Sequence, residues 1–283
     1  KNNQGFTYRN FTNLFHLGLA TMVWLLVFGL VAAILFTITT LFNVEFSDSF
    51  YEHIYTSLGI FTLPLFFLVF QQRQAKSEMT LNRIFEILVN FVLAPALMIF
   101  TVLLYAYVVQ IIFEGVLPKG MLANITLPYL LGGLGVYALR SICAKARWET
   151  FFKFYPYLSI VPIVLFWLAI DRRISAYAWT EQRIYLVALA TAITIAYAIL
   201  IVPKARQYRL ISGVVMVAIF AMTWIVKPQE IAYQSQTARF EQLLKKLNLS
   251  DGLGKIRDDI DFVERLENMP KSELKDWEEL DNV

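Results

Sequence analysis

Seven runs of this chain are apolar on all sides and nearly free of charge, and short loops rich in Lys and Arg separate them. They lie roughly at His16–Asn43, Ile54–Phe70, Ile87–Phe113, Leu122–Leu139, Phe154–Ile170, Ile184–Val202 and Leu210–Val226. About 20 apolar residues carry a helix across the hydrocarbon core of a bilayer. In lipid every backbone polar group needs a partner within the protein, which leaves helices or a closed barrel. A barrel needs short alternating strands, and these runs are continuous. The expected fold is therefore all-α: a polytopic helical membrane protein of about seven transmembrane helices with a short amphipathic helical C-terminal tail. Residues 1–226 would form the transmembrane domain and 227–283 an extramembrane tail. With only 17% charged residues, against about a quarter in soluble domains, a soluble protein with a large core is the poorer reading.

Orientation follows from the basic residues of alternate loops, because cytoplasmic loops carry the excess. One set holds the N-terminus and the second, fourth and sixth loops, with 12 Lys and Arg. The other set has 5, and its first loop carries only acids, Glu45, Asp48 and Glu52. This places the N-terminus in the cytoplasm of a bacterial inner membrane and the tail outside. The chain begins at Lys1, so it is expected to be a segment of something longer. The first apolar run is too long for a cleavable signal peptide and lacks a small-residue cleavage site. Aromatic residues such as Trp24, Tyr51, Trp148, Tyr177, Trp179, Tyr185 and Trp224 mostly lie near span ends, as interfacial anchors do.

After Val226 the character changes: 227–283 carries nine basic and thirteen acidic residues, net −4. Phe240, Leu243, Leu244 and Leu247 recur at helical spacing, and Leu253, Ile256, Ile260 and Val263 repeat it after a turn signal. Ser272 is placed to cap a last short helix. These helices are too small for an enzyme domain and suit an appendage or docking element.

Catalytic patterns are absent. Cys143 is the single cysteine, which excludes a disulfide within the chain and a cysteine metal site, and His16 and His53 are far apart. The glycines of "LLGGLGV" at 130–136 follow no strand and suit close helix packing. No metal, cofactor or nucleic acid is expected. Pro64, Pro95, Pro128, Pro156 and Pro162 fall inside or at the start of spans, where they kink helices. Polar residues inside a membrane are costly and often functional; the candidates are Asn90, Gln110 and Asn124. For Asn90 and Asn124 the plain alternative is a helix–helix hydrogen bond. No carboxylate lies deep in a span, which weighs against an ion-coupled carrier.

The fifth loop is the exception to the charge rule. It holds Asp171, Arg172, Arg173, Thr180, Glu181 and Arg183 on the side that should be poor in Arg. With Thr180 as cap, Glu181 and Arg183 fall in the first turn of the sixth span, where the helix dipole favours the acid and opposes the arginine. Such an arginine needs a partner. Either Asp171, Glu181 or a tail carboxylate pairs with it in a structural clasp, or the arginines form a site for an anion or lipid headgroup.

The stretch "DRRISAYAWTEQRIYLV" resembles a motif of the bacterial membrane proteins called the domain of unknown function 4153 family, at Arg173, Tyr177, Trp179, Thr180, Glu181 and Arg183. "VLPKGMLANI" at 116–125 is similar to the family's entry to a span, and "YRNFTNLFHLGLATMVWLLVFGLVAAILF" to its long first helix. "AYQSQTARFEQLL" at 232–244 resembles its segment after the last span, with Ser235, Gln236 and Arg239. The chain departs in having Ala178 where Gly is commoner, and in the acidic tail after Leu249. The resemblance implies a bacterial inner-membrane protein with several helices, often with more upstream, and no assigned reaction.

Three functions fit these features. The first is a non-enzymatic membrane protein whose outer Arg-rich loop and tail serve interaction or envelope-related roles, with membrane lipids, and a protein at the tail, as partners. The second is a transporter or permease for a small anionic solute. The third is a lipid-headgroup-handling enzyme, with Asp171 or Glu181 as its acid or base.

Overall fold

The computed structural model describes residues 2–74, 81–115, 122–143, 147–202 and 207–247. All regular structure among them is helical. The second tail repeat and the Ser272 cap lie outside the described residues. The chain divides into two compact units, 1–166 and 167–283.

The first unit opens with α1 (Asn2–Phe42), a 41-residue helix. A second helical span runs through α2 (Asp48–Ser57), a π-helical stretch at Leu58–Thr62 and α3 (Leu63–Gln74). A third runs through α4 (Leu81–Leu88), a π-helical stretch at Val89–Leu93 and α5 (Ala94–Glu114). Then come α6 (Leu122–Arg140), α7 (Glu149–Leu158) and α8 (Ile160–Tyr177), whose last part belongs to the second unit. The apolar contact at the centre of α1 and α3 joins Ala20 and Val23 to Phe66 and Phe70, with Ile87 and Val92 against them.

Both π-helical stretches end two residues before a proline, Pro64 and Pro95. Proline has no N–H and its ring collides with the carbonyl four residues back. Widening the turn by one residue absorbs that collision, and π-bulges are a recognised source of kinks. At the second stretch the Ala94 N–H bonds back to the Val89 carbonyl, not to Asn90. The Asn90 carbonyl is thereby released for another donor.

In the second unit, α8 continues to Tyr177, seven residues beyond the expected span end at Ile170. Asp171, Arg172 and Arg173 are thus helical, and the expected long loop shrinks to Ala178–Thr180 before α9 (Glu181–Ile201). Trp167 on α8 donates from Nε1 to Thr194 Oγ1 on α9 at 3.0 Å. α10 (Tyr208–Trp224) follows and meets α11 (Pro228–Lys246) at a 61° bend. Lys227 makes this corner in the left-handed region, φ 39°. α11 packs on α9 and buries Pro228, Ala232, Leu243 and Leu244.

Among the described residues, six helical stretches are long and apolar enough to cross a membrane. The 17-residue α10 would be the seventh, at the short end of the usual range. The surface agrees with immersion in lipid: Leu25, Phe61, Val102, Ile112, Phe113, Met216 and Phe220 are all exposed. Soluble monomers do not present so much contiguous apolar area.

Candidate functional site

The arginine-rich turn is built around the end of α8. The last carbonyls of any helix lack partners within it. Here Ala178 adopts the left-handed conformation, φ 56°, which ends the helix in the usual way for a C-terminal residue. The chain then extends through Thr180, which starts α9 with its carbonyl accepting from the Arg183 and Ile184 N–H groups, both at 3.0 Å. The Thr180 hydroxyl makes no cap bond.

The carbonyls left at this turn are taken up by side chains. Arg183 Nη1 donates to the Tyr177 carbonyl at 2.8 Å and the Ala178 carbonyl at 2.6 Å, and its guanidinium lies over the Tyr177 ring, 5.4 Å from the centroid. Arg239 Nη2 donates to the Ala176 carbonyl at 2.6 Å. Gln236 Nε2 donates to the Trp179 carbonyl at 2.8 Å and the Tyr177 carbonyl at 3.3 Å. Ser235 Oγ accepts from the Trp179 N–H at 3.2 Å. Among the described residues Arg183 is met by these backbone carbonyls and by no carboxylate, and the tail carboxylates of 248–283 lie outside them. Arg183 opposes the dipole of its own helix, but its charge sits at the negative end of α8, where a cation is favoured.

Arg173 and Arg239 both lie close enough to Arg183 for mutual repulsion. Three guanidinium groups thus gather at one turn, and Arg172 beside them is exposed. Asp171 and Glu181 are also exposed. Gln236 and Arg239 were not singled out as site residues from the pattern of charges, because α11 lies more than fifty residues away in sequence. The signal that points to them is the Ser235-Gln236-x-x-Arg239 segment, and all three of its residues dock on the Tyr177–Thr180 segment or the helix end before it.

The intramembrane candidates separate. Asn90 is buried, and its Oδ1 accepts from the Arg147 N–H at 2.9 Å. Its carbonyl, released by the π-helical turn, accepts from Trp148 Nε1 at 2.8 Å. Asn90 therefore anchors the chain just before α7. The bond runs to a connecting segment, where a helix–helix bond was expected. Gln110 Nε2 donates to Glu114 Oε1 at 2.9 Å, one turn on. Asn124 has a different setting. It lies on the wall of a cavity of about 220 Å³ between α1, α5 and α6.

The likeness to known proteins extends over most of the chain. The family described as Domain of unknown function (DUF4153) matches residues 1–257. The chain belongs to this family. An uncharacterised protein of Pasteurella multocida (strain Pm70) is 33% identical over 286 aligned residues, covering 99% of this chain and 49% of that protein. The chain spans about half the length of this curated relative. No solved structure matches. Membership in the DUF4153 family agrees with a helical membrane protein and assigns no reaction.

Proposed function

We propose that the chain is a non-enzymatic part of a bacterial inner-membrane protein, and that the α8–α9 turn with α11 forms a rigid cationic platform for an anionic envelope component. The carrying observation is the set of bonds from Arg183, Gln236 and Arg239 to the turn carbonyls. They hold α11 against the turn while Arg172 stays exposed beside them. The basic-residue bias supports a cytoplasmic N-terminus and an outer position for this platform. In that topology α11, bent 61° from α10 and bound at its middle to the end of two spans, runs along the membrane surface without crossing back. The residues beyond Lys227 then form an extramembrane tail.

Truncation after residue 228 tests this reading in cells. Cross-linked envelope partners should disappear on truncation and also on joint replacement of Gln236 and Arg239 by Ala. An unchanged partner set in both variants would sink the proposal.

A further inference from the structure

The cavity between α1, α5 and α6 has one polar end. Its wall along α6 is made by Asn124, Ile125, Pro128, Tyr129, Gly132 and Val136, which form one face of the helix. From Asn124 to Val136 that face is about 18 Å long at 1.5 Å per residue. Small side chains hollow it out: Ala33 on α1, Ala96 on α5 and Gly132 on α6. A Cβ placed on Gly132 would meet nothing within 4 Å. The side is partly open, since Ala33, Phe36, Asn124, Pro128 and Gly132 of the wall are exposed.

Three polar side chains reach this wall, Thr37, Asn124 and Tyr129. Thr37 Oγ1 donates to the Ala33 carbonyl at 2.8 Å, and the Tyr129 hydroxyl bonds Thr101 Oγ1 at 2.9 Å. The Asn124 amide has no partner among the described residues. Its backbone is also unusual. Pro128 follows four residues later inside the helix, so the Asn124 carbonyl loses its normal helical donor. One residue thus offers an amide that donates and two oxygens that accept, all at the same end of an otherwise apolar groove.

Depth fixes what can occupy it. α6 has 19 residues, about 28 Å at 1.5 Å per residue, close to the thickness of the hydrocarbon core. Asn124 is in its first turn, at the level where a bilayer changes from ester and glycerol groups to tails. The groove runs from there toward the membrane interior, where the surrounding solvent is acyl chain. We propose that this groove is a binding site for one acyl chain of a glycerolipid, whose ester and glycerol oxygens meet the Asn124 amide and carbonyl. The lipid belongs to the leaflet at the N-terminal end of α6.

The test uses the full-length protein, reconstituted in vesicles of phosphatidylethanolamine and phosphatidylglycerol, extracted into detergent and weighed by native mass spectrometry. The wild type should retain one lipid at collision energies that strip the rest. Gly132→Phe, which fills the groove, should lose it. Gly135→Phe adds the same ring on the same helix, outside the wall and also in open space, and should keep it. Asn124→Leu should release the lipid at lower energy. A phosphatidylethanolamine with a diazirine in its acyl chain should cross-link to residues 124–136. No retained lipid in the wild type, equal retention in Gly132→Phe, or unchanged release in Asn124→Leu overturns the proposal. So does cross-linking confined to other helices, as expected if another segment of the long protein covers the groove.

Discussion

Arg183 stands in the first turn of α9 and yet serves α8. Its two bonds to the Tyr177 and Ala178 carbonyls replace partners those carbonyls cannot find in their own helix. Arg183→Ala should therefore lower the free energy of unfolding, measured by detergent titration, by about 1.5–3 kcal/mol, the range for a hydrogen bond to a charged group. Glu181→Ala should stay within about 0.5 kcal/mol. An ion-paired clasp would make the two losses similar, so the pair of variants separates the two arrangements. Arg183→Lys should recover only part, because one ammonium cannot copy the planar fork. Ala178 gives a second residue-scale expectation. At φ 56° its Cβ is strained, a cost of roughly 1–2 kcal/mol relieved by glycine. Ala178→Gly should raise the free energy of unfolding by up to about 1 kcal/mol, less the entropy glycine loses on folding. The need for a partner for Arg183 was legible from charge and helix position. The partner's identity was not, because backbone carbonyls leave no mark in a sequence.

Prolines organise the helices, and each one exposes a carbonyl that some other side chain can use. Pro162 deprives the Leu158 carbonyl of its helical donor, and the Tyr105 hydroxyl on α5 donates to it at 3.0 Å. The π-helical turn before Pro95 releases the Asn90 carbonyl to the Trp148 indole. Tyr105→Phe should cost about 0.5–1.5 kcal/mol by removing the donor to this half-buried carbonyl. In a Pro162→Ala background the restored N–H serves Leu158, so the same change should cost much less; a double-mutant cycle with unfolding midpoints measures this coupling. Equal costs in both backgrounds would show that Tyr105 acts by packing alone. The positions of these kinks were readable from the proline positions. Which residue fills each vacated bond depends on helices far apart in sequence, so it was not.

For the whole molecule, the open quantity is orientation across the membrane. Cys143 follows the end of α6, in a loop assigned to the cytoplasm by its basic residues. It should resist a membrane-impermeant maleimide in whole cells and react after permeabilisation. In a Cys143→Ala background, Tyr233→Cys on the exposed side of α11 should react from outside. The opposite pattern would invert the topology. Burial, with the Glu86 charge adding to it, pushes the Cys143 thiol up. Less thiolate is then present near neutral pH, so labelling should accelerate as pH rises past the ordinary thiol range. The sequence by itself determined the membrane-spanning helical architecture, because uncharged runs of this length have one stable form in lipid. It also marked Pro64 and Pro95, which follow the π-helical stretches, and the residues that break the charge rule, but not the 61° bend between α10 and α11. Only the tertiary structure decided that α8 runs on through the arginines, that α11 returns to cap its end, and that Asn124 faces a cavity. Those outcomes depend on contacts between segments tens of residues apart, which no local pattern of charge or hydropathy encodes.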